Sequence, residues 1–114
     1  MEQNPRLNFH LRKVTKEDES LLFEWRNDEE ARSNSRHTAP IGQREHQEWL
    51  EKTLHGDFTG RVFCMAELDD YTPIGVVRSD PRSDGFFEIS YTVAPDWRGK
   101  GVAKAMTQFF VARY

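Results

Sequence analysis

Two spacings of apolar residues succeed one another along this chain, and they divide it into strands and helices. From Phe9 to Val14 apolar and polar side chains trade places nearly residue by residue, which predicts a first strand. Thr15 then offers a helix cap, with Asp18 three residues on as a weak capping box, and Leu21, Leu22 and Trp25 recur at helical spacing. That helix should fail at Asn27-Asp28 and give way to the polar stretch Arg32 to His37, a loop or a broken helix. Beyond Pro40, the segment Gln43 to Leu54 puts His46, Trp49, Leu50 and Leu54 on one face, and Gly56 suits the position just past the end of a second helix.

The second half changes period. Arg61 to Leu68, Ile74 to Ser79 and Phe86 to Val93 are rich in strand formers and are separated by the turn signals Asp69 to Pro73 and Asp80 to Gly85. Connections this short predict an antiparallel meander. A last helix, from about Gly99 to Tyr114, carries Val102, Met106, Phe109, Phe110 and Arg113 along one stripe. The order β-α-α-β-β-β-α predicts an α+β or α/β fold, one domain over residues 1–114, with helices packed on the faces of a sheet.

Composition adds limits. The 114 residues are 37% apolar and 31% charged, with eight Phe, three Trp and three Tyr, enough to fill a core. A net charge of −3, with cations scattered among carboxylates, leaves no basic stripe for nucleic acid. Cys64 is the single cysteine and sits in the apolar run Val62 to Ala66, where it reads as a small core residue in a reducing compartment. The N-terminus lacks a signal-peptide core and no apolar run approaches bilayer length, so the expectation is a cytoplasmic protein that binds neither membrane nor metal.

The chemistry concentrates in Val93-Ala94-Pro95-Asp96-Trp97-Arg98-Gly99-Lys100-Gly101-Val102-Ala103. A strand running through closely spaced glycines into a helix presents unpaired backbone N–H groups at the positive end of the helix dipole, a site suited to phosphate. Gly99 and Gly101 let the ligand approach, and Arg98 and Lys100 add charge. Two familiar glycine motifs fail: a Walker A loop needs Ser or Thr where Gly101 stands, and the Rossmann pattern needs Gly or Ala where Lys104 stands. The plainer alternative is that the glycines only shape a tight turn.

Arg98-x-x-Gly101-x-Ala103, behind a strand and ahead of a helix, resembles the signature of the GNAT superfamily of N-acetyltransferases, whose order of elements also matches. The resemblance implies a GNAT-like mixed sheet and acetyl-coenzyme A as co-substrate. It places the pyrophosphate on Arg98, Gly99, Lys100, Gly101, Val102 and Ala103, and the acetyl carbonyl and pantetheine arm on backbone groups of Tyr91 and Val93. Glu88, a carboxylate in mid-strand, is the candidate general base; the alternative is a surface residue or a partner of an arginine such as Arg78. The family's tyrosine acid lies in a segment this sequence does not contain, and that role is not carried onto Tyr114.

The first half resembles the branch that acetylates nucleotide-linked amino-deoxy sugars, of the pseudaminic acid pathway type. The carrying residues are Trp25-Arg26-Asn27, Arg32, Ser35 and His46-Gln47-Glu48-Trp49. The implied acceptor contacts are Arg26, Asn27, Arg32, Ser35, His46 and Trp49, with cations for a diphosphate and an aromatic surface for a base. Trp25, Trp49 and His46 also lie on apolar helix faces, where core packing is the plainer account of them. In the superfamily a β-α-β-β portion follows the glycine-turn helix. Its absence here leads us to expect an N-terminal fragment with an open fourth-strand edge and a partly uncovered last helix, which would bind cofactor weakly, associate with itself through that edge, or need a partner. The alternatives are a protein N-terminal or ribosomal-protein acetyltransferase and a non-catalytic fragment.

Overall fold

The computed structural model describes residues 8–33, 39–55 and 60–114, with the side chains of residues 31 and 32 outside that description. Strand β1 (Phe9–Lys13) leads through a 3-10 turn (Lys16–Asp18) into α1 (Glu19–Arg26) and a short α2 (Glu29–Ser33). Helix α3 (Gln43–Leu54) precedes the meander β2 (Val62–Leu68), β3 (Pro73–Pro81) and β4 (Phe87–Val93), and after a second 3-10 turn (Pro95–Trp97) α4 (Val102–Arg113) follows. The expected order holds with one helix added. Glu29 to Ser33 forms a turn and a half just past the expected break at Asn27-Asp28 and runs into the polar stretch Arg32 to His37, expected as a loop or a broken helix, and residues 34–38, like Gly56, lie outside the described residues.

The four strands form one antiparallel sheet in chain order, β1-β2-β3-β4. Register assigns the faces. Cys64 opposes Val77, Ala66 opposes Gly75 and Gly75 opposes Val93, so these share one face; Met65, Val76 and Thr92 share the other. Helices α1 and α3 cover the second face, where Leu22, Trp25 and Leu50 pack on Met65, Val76 and Ala94. Helix α4 covers the first, where Val102, Met106 and Phe110 pack on Cys64, Ala66, Ile74 and Val77. Each large apolar side chain so buried contributes roughly 1.5–3 kcal/mol.

Two expectations about α4 change. It starts at Val102 rather than Gly99, because Gly99 and Gly101 both hold positive φ and keep the chain out of the helix until the second has turned it. Its stripe also keeps most of its cover: Val102, Met106 and Phe110 are buried, Phe109 is half out of solvent against Phe9, and Arg113 is exposed. Gly75 makes this approach possible, since a Cβ there would stand 2.9 Å from the Thr92 carbonyl and 3.1 Å from Met106 Sδ. The open apolar surface belongs to β4, where Phe87, Ile89 and Tyr91 are exposed.

Candidate cofactor and acceptor site

The glycine turn grows out of β4. Ala94 N–H donates to Ile74 O at 2.9 Å, Pro95–Trp97 makes one 3-10 turn, and Gly99 (φ 75°) and Gly101 (φ 82°) swing the chain into α4. The first intrahelical bond runs from Ala105 N–H to Gly101 O at 3.1 Å, so the N–H groups of Val102, Ala103 and Lys104 precede the ladder and face outward at the positive helix end. A Cβ on Gly99 or Gly101 would meet no heavy atom within 4 Å. Open space therefore lies beside both glycines, at the helix end that carries these unbonded donors, an arrangement that can accept a pyrophosphate.

Lys100 stands exposed beside that space. Arg98, expected to add charge to the pyrophosphate site, is held by carboxylates. Its Nη2 donates to Asp28 Oδ2 at 2.5 Å and its Nη1 lies 3.6 Å from Glu30 Oε1, so it braces the turn against the α1–α2 junction.

The outer edge of β4 follows from ladder parity. Ala94 bonds to Ile74 and Arg82 N–H bonds to Phe86 O, so even-numbered residues of β4 exchange their hydrogen bonds with β3. Tyr91 and Val93 then turn their N–H and C=O groups to the other side, where no described strand pairs. Their backbone groups are thus open to a ligand along that edge. The same parity puts the side chains of Glu88, Ser90 and Thr92 on the α1/α3 face.

On that face lies a cavity of about 850 Å³. Its walls include Trp25 and Arg26 of α1, Trp49 of α3, Arg78 of β3, and Glu88 and Ser90 of β4; Glu30, Ile41 and Arg98 reach its rim. Glu88, which periodicity alone left between cleft and solvent, opens into this cavity. Arg78, named as an alternative partner for Glu88, instead bonds Asp80 Oδ2 through its Nε at 2.9 Å, and Asp80 also takes Arg61.

The acceptor candidates divide. Arg26 and Trp49 face the cavity together, with the Arg26 guanidinium carbon 4.6 Å from the Trp49 ring centroid. Trp25 is buried in the core with one side toward the cavity. His46 and Asn27 depart from the expectation of direct contact. His46 is fully buried between Phe23 and Trp49, and Arg26 Nη1 donates to its Nδ1 at 3.2 Å. Arginine only donates, so the ring is neutral with its proton on Nε2. Burial first and the Arg26 charge second push the His46 pKa down, with Glu19 opposing. The Asn27 amide is occupied by Ile41, donating to its carbonyl at 2.9 Å and accepting from its N–H at 2.7 Å, which pins the loop ahead of α3. Ser35 and the side chain of Arg32 lie outside the described residues.

Sequence reasoning missed Arg78 as a cavity residue and Asp28 as the anchor of Arg98. Strand parity held the signal for Arg78, which shares a face with Val76. Nothing in the sequence linked Asp28 to a residue 70 positions away. Among the described residues, no group of three or more His, Cys, Asp or Glu is placed to hold a metal ion, and no helix is long and apolar enough to cross a membrane.

Comparison with known proteins supplies the frame. The acetyltransferase (GNAT) domain family matches residues 8–114. No curated protein matches the sequence. Among solved structures, a GNAT superfamily phosphinothricin acetyltransferase from Sinorhizobium meliloti in complex with acetyl-coenzyme A is 23% identical, with 94% of this chain and 60% of that one covered at a TM-score of 0.72. Spermidine N-acetyltransferase from Vibrio cholerae, bound to coenzyme A and spermine, is 19% identical, with 88% and 59% covered at 0.73. An N-acetyltransferase from Staphylococcus aureus is 21% identical, with 93% and 66% covered at 0.71. Likeness at this identity establishes the fold. The chain spans about 60% of the length of the first two.

Proposed function

The chain belongs to the GNAT acetyltransferase family, and on that premise we propose that it binds acetyl-coenzyme A along β4 and the glycine turn and transfers the acetyl group to a primary amine in the adjoining cavity. One observation carries the reading: two positive-φ glycines open a space before the N-terminus of α4, at the end of a strand whose outer edge is unpaired among the described residues. Amides of Val102, Ala103 and Lys104 would hold the pyrophosphate with Lys100 beside them, while Arg98 fixes the turn through Asp28.

When bound, acetyl-coenzyme A supplies an activated thioester carbon. The amine must reach it neutral. Glu88, directly or through one water, takes the proton from the amine; Tyr91 and Val93 present backbone groups to the carbonyl oxygen, and the C–N bond forms as the C–S bond breaks. The released thiolate then takes up a proton.

For the acceptor we propose an amino sugar carried on a nucleotide. Support comes from Trp25-Arg26-Asn27 and His46-x-x-Trp49 and from the placement of Arg26 and Trp49 in the cavity. The setting is cytoplasmic in this reading, consistent with a buried, unpaired Cys64. The exposed Phe87, Ile89 and Tyr91 beside the open edge support self-association of the chain through β4.

The test is thiol release on mixing acetyl-coenzyme A with primary amines. A Glu88→Gln variant should lose about 10²-fold or more in kcat, the usual range for a general base, while binding coenzyme A as before. Unchanged turnover in the variant would remove Glu88 from the mechanism.

A further inference from the structure

We propose that Asp28 is a positioning residue for the cofactor: it holds Arg98 as a tether between α1 and the glycine turn, and so sets the affinity for coenzyme A without touching it. The role rests on the reading that the turn takes the pyrophosphate of coenzyme A. Within that reading it moves Arg98 from phosphate ligand to anchor.

The need for an anchor follows from the composition of the turn. Of residues 98–101, two are glycines at positive φ, with the most backbone freedom to lose on ordering, and Lys100 is exposed. The flanks are fixed: Ala94 and Val102 are buried, and Trp97 N–H donates to Ala94 O at 2.8 Å. Between them Arg98 supplies the side chain that reaches another element. Its Nη2 donates to Asp28 Oδ2 at 2.5 Å, and the two side chains are only 25% and 24% exposed, so the pair is partly withdrawn from solvent screening.

The far end of the tether is rigid. Asp28 follows α1, whose Leu22 and Trp25 are packed in the core, and its N–H donates to Trp25 O at 3.3 Å. Its neighbour Asn27 is closed on Ile41 from both sides of the amide. A turn tied to such a point has less freedom to lose when the cofactor arrives, which raises affinity without a new contact. The Arg98 charge is meanwhile answered by Asp28 and by Glu30, 3.6 Å from Nη1. Moving Arg98 onto a pyrophosphate would give up the 2.5 Å bond and withdraw a cation from two carboxylates. Removing the Asp28 charge therefore separates the two roles by sign: a tether loosens and binding weakens, whereas a phosphate ligand is released and binding tightens.

Calorimetric titration of coenzyme A tests this on the parent chain, Asp28→Asn, Arg98→Gln and the double variant, each shown to be folded by circular dichroism, at low and high salt. Each single change should weaken binding at least about fivefold, and the double variant should bind within about twofold of the weaker single, because both changes cut one tether. Asp28→Glu, which keeps the carboxylate, should stay within about threefold of the parent. The salt dependence of Arg98→Gln should match the parent's, whereas loss of a cation in contact with phosphate would flatten it. If Arg98→Gln fails to fold, the near-isosteric Asp28→Asn decides by the sign of its effect. Binding by Asp28→Asn that equals or exceeds the parent's, losses that add in the double variant, or a flattened salt dependence in Arg98→Gln would overturn the role while the cofactor reading stands. No binding by the parent would remove the cofactor reading, and this role with it.

Discussion

His46 shows how burial and a charged neighbour set the protonation state of one side chain. It accepts a hydrogen bond from Arg26 and lies sealed under Phe23 and Trp49, so a proton on Nδ1 would break that bond and place two cations together. Its pKa is held below the ordinary 6.5 in the folded chain and returns there on unfolding. Between those values the unfolded state binds more protons, so this residue's contribution is complete above about pH 6.5 and is lost as pH falls toward the folded value. We therefore expect denaturant stability to decline from pH 7 to pH 5, and His46→Gln, which keeps an acceptor for Arg26, to flatten that decline. An identical slope in the variant would contradict the assignment. Residue identity was legible here and residue role was not. His46 and Asn27 stood out in the sequence, yet a fully buried ring and an amide closed on Ile41 are facts of tertiary packing. Glu88 was found by its place in the strand, and only the register with Asp80 shows which face it takes.

Between elements, the contact of α4 with β3 and β4 is the tightest fit and turns on Gly75. Substituting Val would drive a branched side chain into the Thr92 carbonyl and Met106. Overpacking of this kind costs about 1–3 kcal/mol. The thermal midpoint should fall by at least about 4 °C, and an unchanged midpoint would mean that the helix sits farther from the sheet than described. Strands were readable because alternation survives in Phe9 to Lys13 and because turn residues punctuate the meander. Helix α3 was readable to its ends, since Pro40 precedes it and its apolar positions keep one face from Gln43 to Leu54. The start of α4 was misplaced by three residues: glycine signals a turn but does not reveal that positive φ values at Gly99 and again at Gly101 delay the helix. Helix α2 has no apolar stripe to announce it, so the polar stretch it runs into could be read only as a loop or a broken helix.

At the scale of the molecule, one sheet face serves α4 and the other serves the cavity, and β4 borders both. Its outer edge and its exposed Phe87, Ile89 and Tyr91 make it the surface through which two copies would meet. Light scattering over a hundredfold range of concentration should show mass rising above one chain, and a constant monomer mass would exclude self-association through β4. The order of elements and the glycine turn were legible from sequence because both depend on local pattern; the cavity was not, because it is assembled from α1, α3, β3 and β4. The central claim is that the turn holds coenzyme A. Calorimetric titration of coenzyme A into the protein and into Gly101→Asp measures it directly, since aspartate would strain a residue at φ 82° and set a carboxylate where phosphate belongs. The account predicts saturable binding by the parent chain and at least about 100-fold weaker binding by the variant, with the fold retained by circular dichroism. No binding by the parent, or equal binding by both, would contradict it.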